Sequence, residues 1–134
     1  MDRQSQIEFI LDHYENPRNH GKLEDADVVS DGGNPGCGDI VTIYLKVDDQ
    51  QRVEQVTFEG QGCTISQAAA SLVTEMVTGK PIDEVLELDY ETIIDELGRE
   101  VVMSRPRCAT LALGTIKAAA TSYKRGEHTA KMEV

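Results

Sequence analysis

Three cysteines, Cys37, Cys63 and Cys108, are the residues of this chain best suited to chemistry. Cys37 lies in Gly32-Gly33-Asn34-Pro35-Gly36-Cys37-Gly38-Asp39, a run too rich in glycine and proline for regular structure. Glycine on both sides of a cysteine lets backbone approach a ligand closely. In an extended segment, the i, i+2 spacing puts the Cys37 thiolate and the Asp39 carboxylate on one side. Cys63 follows Gly60-Gln61-Gly62 and precedes Thr64-Ile65-Ser66-Gln67, which reads as a capping box, so its sulfur is expected at the positive end of a helix. Cys108 comes two residues after Pro106, a residue suited to the first turn of a helix, and has Arg107 beside it. Both settings favour a thiolate.

The intervals between the cysteines match no zinc-ribbon or ferredoxin pattern. If the three junctions converge, three sulfurs and the Asp39 carboxylate make four ligands. Such a set suits tetrahedral zinc or a [2Fe-2S] cluster with one oxygen ligand, and its softness disfavours magnesium and calcium. His13, His20 and His128 share no local motif with a cysteine and are expected at the solvated surface. No Ser-His-Asp order, phosphate-binding loop or dinucleotide fingerprint accompanies them.

The elements that must position these residues are legible from periodicity. Ile7, Ile10, Leu11 and Tyr14 predict a helix over about 3–15, stopped by Pro17 and Gly21. Alternating Val41, Ile43, Leu45 and Val47, the polar turn Asp48-Asp49-Gln50-Gln51, and Val53, Val56 and Phe58 predict an antiparallel hairpin. A third strand over 26–30 is expected beside it, since an isolated hairpin is marginal in water. Ile65 to Val77 and Pro106 to Tyr123 predict two long helices, with short ones near 82–86 and 89–96. The expectation is one α+β domain over 1–134, a small three-stranded antiparallel sheet covered on one face by helices, with 127–134 as a flexible tail.

The 134 residues carry 13 Lys and Arg against 24 Asp and Glu, a formal charge of -11. That charge repels phosphate backbones and anionic headgroups, so neither nucleic acid nor a membrane is an expected partner. The start of the chain lacks a signal-peptide pattern, no apolar run approaches a transmembrane span, and a cytoplasmic location is expected.

The sequence resembles the U-type iron-sulfur cluster assembly scaffolds, the IscU, SufU and NifU N-terminal domain family. The resemblance covers nearly the whole chain. It rests on His13-Tyr14-Glu15-Asn16-Pro17-Arg18-Asn19, Cys37-Gly38-Asp39, Gly62-Cys63, Ser71-Leu72-Val73-Thr74-Glu75 and Ile116-Lys117-Ala118-Ala119. It implies the IscU-like fold, with Cys37, Asp39, Cys63 and Cys108 around a cluster or zinc site. It further implies a carrier rather than an enzyme, and one that can form homo-oligomers when cluster-bound. Sulfur would come from a cysteine desulfurase, with Cys108 as the acceptor, and the cluster would pass to apo iron-sulfur proteins or carriers. The alternative is a SufU-like, zinc-bound sulfurtransferase that takes persulfide sulfur from the desulfurase.

IscU members carry His immediately before the third cysteine, whereas this chain has Arg107, as SufU-like members do. Arg107 is expected to offset cluster charge or steer a persulfide. The Leu-Pro-Pro-Val-Lys chaperone-recognition motif is replaced by Val101-Val102-Met103-Ser104-Arg105-Pro106, so the resemblance carries no dedicated chaperone with it. The interval between Cys63 and Cys108 is too short for the insertion typical of the SufU branch.

Overall fold

A computed structural model describes residues 2–34 and 38–133. In chain order it contains α1 (Arg3–Glu15), β1 (Val28–Asn34), β2 (Asp39–Val47), β3 (Val53–Gln61), α2 (Thr64–Val77), α3 (Ile82–Glu87), α4 (Tyr90–Leu97), α5 (Arg99–Val102), α6 (Pro106–Lys124) and β4 (Thr129–Glu133). The strands are ordered β3-β2-β1-β4.

The alternation of β2 sorts its side chains onto two faces. Val41, Ile43, Leu45 and Val47 are buried and lie opposite Gly60, Phe58, Val56 and Val53 of antiparallel β3. β1 runs antiparallel on the other side of β2, with Val28 opposite Leu45 and Ser30 opposite Ile43. These are the three expected antiparallel strands, except that β1 starts at Val28 and runs on through Gly32 and Gly33 to Asn34, residues expected in a loop, because β2 pairs with them as far as Asp39. α2 and α6 pack against this inner face, where Phe58, Ile43, Leu45, Leu111, Leu113 and Ile116 are fully buried. Removing each such side chain from water contributes ~1.5–3 kcal/mol.

On the opposite face Thr42 donates to Asp31 at 2.8 Å and the Tyr44 hydroxyl donates to Glu59 at 2.6 Å. The Glu59 bond, helped by desolvation, pushes the Tyr44 pKa up to about 12. This face is laced by polar pairs, so helices cover one face only, as expected.

Residues 129–133, expected within a frayed tail, instead add a fourth strand. β4 runs parallel to β1, with Val29 opposite Thr129 and Gly33 opposite Glu133. A parallel neighbour requires a crossover, and α6 supplies it.

The inner face also sets how closely α6 approaches β1. Ser30 Oγ donates to the Thr115 carbonyl at 3.1 Å, and a Cβ on Gly32 would lie 2.0 Å from Thr115 Oγ1. Only glycine allows that approach. It sets the middle of α6 against β1, the same helix whose first turn brings Cys108 to Asp39.

Candidate metal centre

Asp39 is the first residue of β2, and the side-chain alternation that buries Val41 and Ile43 also turns its carboxylate inward, leaving it 1 % exposed. A buried carboxylate must be hydrogen-bonded, and this one is. Oδ1 accepts from the Cys63 backbone N–H at 2.9 Å, and Oδ2 accepts from the Cys108 thiol at 2.8 Å. The Cys63 sulfur lies 3.8 Å from the same Oδ2. The ligand atoms of Asp39, Cys63 and Cys108 all fall within 4.8 Å of one another.

Cys63 is the N-cap of α2, in extended conformation with φ -72° and ψ 165°. The capping box expected from Thr64 and Gln67 does not form: Thr64 is already helical and no side chain caps the helix. The Ser66 hydroxyl instead donates to the Cys63 carbonyl at 3.0 Å. Gly62, with φ +148°, brings the chain into this turn, and a Cβ there would meet Asp39 Oδ1 at 2.1 Å and Ser66 Oγ at 2.9 Å. The missing side chain leaves the space in which Asp39 reaches Cys63.

Cys108 lies in the first turn of α6 after Pro106, as expected, and is 2 % exposed. Cys63 is less enclosed. Cys37, expected beside Asp39, lies outside the described residues. Arg107, singled out in the sequence for its position beside Cys108, is exposed. The cation that faces the sulfurs is Arg105. It is the N-cap of α6, and its carbonyl accepts from the Cys108 N–H at 3.1 Å. The neighbouring Cys63 sulfur and, secondly, the Cys108 sulfur push its pKa further above the usual arginine value. The residue before a helix-starting proline carries no sequence signal beyond its charge.

Behind the centre, the two long motifs of the resemblance meet. His13, expected at the surface, is 3 % exposed, and its Nδ1 lies 2.8 Å from Ser71 Oγ. The same oxygen accepts from the Arg18 N–H at 2.9 Å, and Asn19 Nδ2 donates to Thr74 Oγ1 at 3.3 Å. Glu75 lies 3.7 Å from His13 Nε2. These contacts fasten α1 and the turn after it to α2, the helix that carries Cys63. Burial first, then the Arg18 charge, lowers the His13 pKa.

Two thiols and a buried carboxylate thus meet at the junction of β2, α2 and α6. The NifU-like N terminal domain family model matches residues 6–130. The chain belongs to that family. It is 44% identical over 117 residues to the iron-sulfur cluster assembly scaffold protein IscU of Aquifex aeolicus, covering 87% of this chain and 74% of the relative. To IscU of Escherichia coli it is 41% identical over 120 residues, covering 87% and 92%. Among solved structures, it resembles a candidate scaffold protein of iron-sulfur cluster assembly for the SUF system from Fervidobacterium islandicum. That match has a TM-score of 0.72 at 32% identity and covers 84% of this chain and 94% of the other. Among the described residues no helix is long and apolar enough to cross a membrane.

Proposed function

We propose that this member of the NifU-like N-terminal family is a scaffold, not an enzyme, on which a [2Fe-2S] cluster is assembled and then passed to apo-proteins. The reading is supported by the convergence of Asp39, Cys63 and Cys108 within 4.8 Å. Cys37, two residues before Asp39, is assigned as the remaining ligand. The cluster is cargo, and the chemistry of the donor set suits cargo. Thiolates hold iron firmly, and a hard carboxylate oxygen is the weaker match that an incoming target cysteine displaces. The expected setting is the cytoplasm, with a cysteine desulfurase as sulfur source and apo iron-sulfur proteins or carriers as recipients.

Sulfur acceptance is assigned to Cys108. Its thiol already donates to Asp39 Oδ2, so the carboxylate is placed to take the proton. The resulting thiolate attacks the terminal sulfur of the desulfurase persulfide. A new S–S bond forms on Cys108, the donor's S–S bond breaks, and the donor cysteine leaves as thiolate. Because Cys108 is 2 % exposed, the segment leading into α6 must give way for this exchange.

Anaerobic reconstitution with iron and sulfide should give a coloured cluster, and Cys37→Ser, Cys63→Ser or Cys108→Ser should each reduce occupancy sharply. Three single variants that hold the cluster as the parent does would sink the shared site. The zinc sulfurtransferase reading is favoured by the same donor set, which suits tetrahedral zinc, and by the likeness to a SUF-system structure. Zinc in place of iron after anaerobic purification, with no cluster on reconstitution, would select it.

A further inference from the structure

We propose that Ser66 is a positioning residue of the metal centre, whose hydroxyl turns from the Cys63 carbonyl to donate a hydrogen bond to the Cys63 sulfur once that sulfur is anionic and ligated. Cys63 is a ligand in the scaffold reading, and the role of Ser66 rests on that reading.

Ser66 is buried, 6 % exposed, in the first turn of α2. Its Oγ stands 3.8 Å from the Cys63 sulfur, with the thiol as donor. Its own hydrogen goes to the Cys63 carbonyl at 3.0 Å. That carbonyl also accepts from the Gln67 N–H at 3.2 Å. The hydroxyl can therefore rotate away without leaving the carbonyl unpaired, and an unpaired buried carbonyl is the usual cost of such a move. Ser66 Oγ and Asp39 Oδ1 both converge on the space above Gly62, where a Cβ would lie 2.9 and 2.1 Å from them. The hydroxyl thus borders the ligand site on its buried side.

Chemistry decides which way the hydroxyl turns. A thiol offers a hydrogen, which a hydroxyl oxygen accepts. A thiolate offers none and attracts a donor. Serine can answer both states by rotation about one bond, which neither alanine nor a fixed backbone N–H can do. A hydrogen bond to a ligating sulfur draws electron density from it, holds its orientation and tunes the metal through the ligand.

The probe is Co(II) alone, read by its sulfur-to-metal charge-transfer absorption, so the test does not depend on cluster assembly. Loss of the donor in Ser66→Ala should leave Cys63 sulfur more electron-rich, move the band to longer wavelength and weaken Co(II) binding on the order of fivefold. Ser66→Thr, which keeps a hydroxyl, should return the band toward the parent position; should Thr not fold, Ser66→Asn supplies the donor instead. Far-UV circular dichroism verifies that each variant is folded, and a merely structural serine would leave the band in place. An unmoved band in folded Ser66→Ala, or a shift that no donor-bearing variant restores, overturns the proposal. So does a parent band that Cys63→Ala leaves untouched, since Cys63 would then not be a ligand. A parent that shows the Ser66 effect with cobalt yet never holds an iron-sulfur cluster would defeat the scaffold reading and support the role of Ser66.

Discussion

Ser71 Oγ lies 2.8 Å from His13 Nδ1 across 58 residues of sequence, and the same oxygen accepts the Arg18 backbone N–H. One buried hydroxyl of α2 therefore fastens both α1 and the turn that follows it.

Removing that hydroxyl leaves two polar groups without a partner. Ser71→Ala is expected to destabilise the fold by about 1–3 kcal/mol, measured by urea denaturation, and to speed proteolysis within residues 3–19 before the rest of the chain. Uniform loss of protection along the chain would show that Ser71 acts on the whole core rather than on α1.

Acid should loosen the same contact. Burial, reinforced by Arg18 and opposed by Glu75 and Asp12, holds His13 below its ordinary pKa of 6.5. The folded chain then binds fewer protons at this site than the unfolded chain does, so its stability rises with pH. The contribution is complete above pH 6.5 and is lost as pH falls from there toward the lowered value. His13→Gln should flatten the dependence of unfolding free energy on pH in this window. An unchanged slope would assign it to other groups.

Gly62 offers a sharper test of the centre. A Cβ there would stand 2.1 Å from Asp39 Oδ1, inside any real contact, whereas at Gly79, also of positive φ (+87°), a Cβ meets nothing within 4 Å. Gly79→Ala should cost only backbone strain, ~1–3 kcal/mol. Gly62→Ala should in addition weaken Co(II) binding by displacing Asp39. Equal metal binding in the two variants would mean that the carboxylate has freedom the packing does not suggest.

Much of this architecture is written in local patterns. Val41 to Val47 alternate and form β2, the 3.6-residue spacing of Ile65 to Val77 forms α2, and Pro106 opens α6. The remainder depends on tertiary context. Thr129-Ala130-Lys131-Met132-Glu133 alternates only Ala130 and Met132 with polar residues, has no β-branched apolar residue or aromatic, and forms a strand because α6 returns the chain beside β1. His13 reads as a surface residue in sequence because its partners, Ser71 and Glu75, belong to another helix. At the centre, residue types mark Asp39, Cys63 and Cys108, but which arginine faces the sulfurs depends on where α6 begins. Pro106 is its first residue, so Arg105 is the N-cap beside the sulfurs and Arg107 is an exposed residue of the first turn.

That difference predicts unequal effects of two similar substitutions. After incubation with a cysteine desulfurase and cysteine, Arg105→Ala should reduce sulfur labelling of the chain several-fold at low salt, because the cation that attracts an anionic persulfide is gone. Arg107→Ala should leave labelling near the parent level. The Arg105 effect should shrink as salt rises, since its guanidinium is exposed and screened over about 10 Å at 0.1 M. Mass spectrometry of the labelled peptides reads both yield and position. A larger loss from Arg107 would reverse the assignment, and label confined to Cys37 or Cys63 would remove Cys108 as acceptor.

Asp39 has two tasks that its removal separates. Its Oδ1 holds the Cys63 N–H and its Oδ2 holds the Cys108 thiol, so Asp39→Ala takes the acceptor from a partly buried N–H and should cost about 1–3 kcal/mol of stability. In the proposed scaffold it would be the one hard oxygen among soft sulfurs and the group a target's thiolate displaces most readily. Asp39→Ala should therefore keep a cluster on the three cysteines yet transfer it more slowly to an apo-ferredoxin. A zinc sulfurtransferase predicts otherwise: losing one of four tetrahedral ligands weakens zinc binding and opens a coordination position to water. Transfer rate and zinc affinity, measured side by side for parent and variant, separate the two. Faster transfer from Asp39→Ala would take the carboxylate out of the release step. Weakened zinc binding, with no cluster formed in either protein, would make the metal at this centre a resident rather than a cargo.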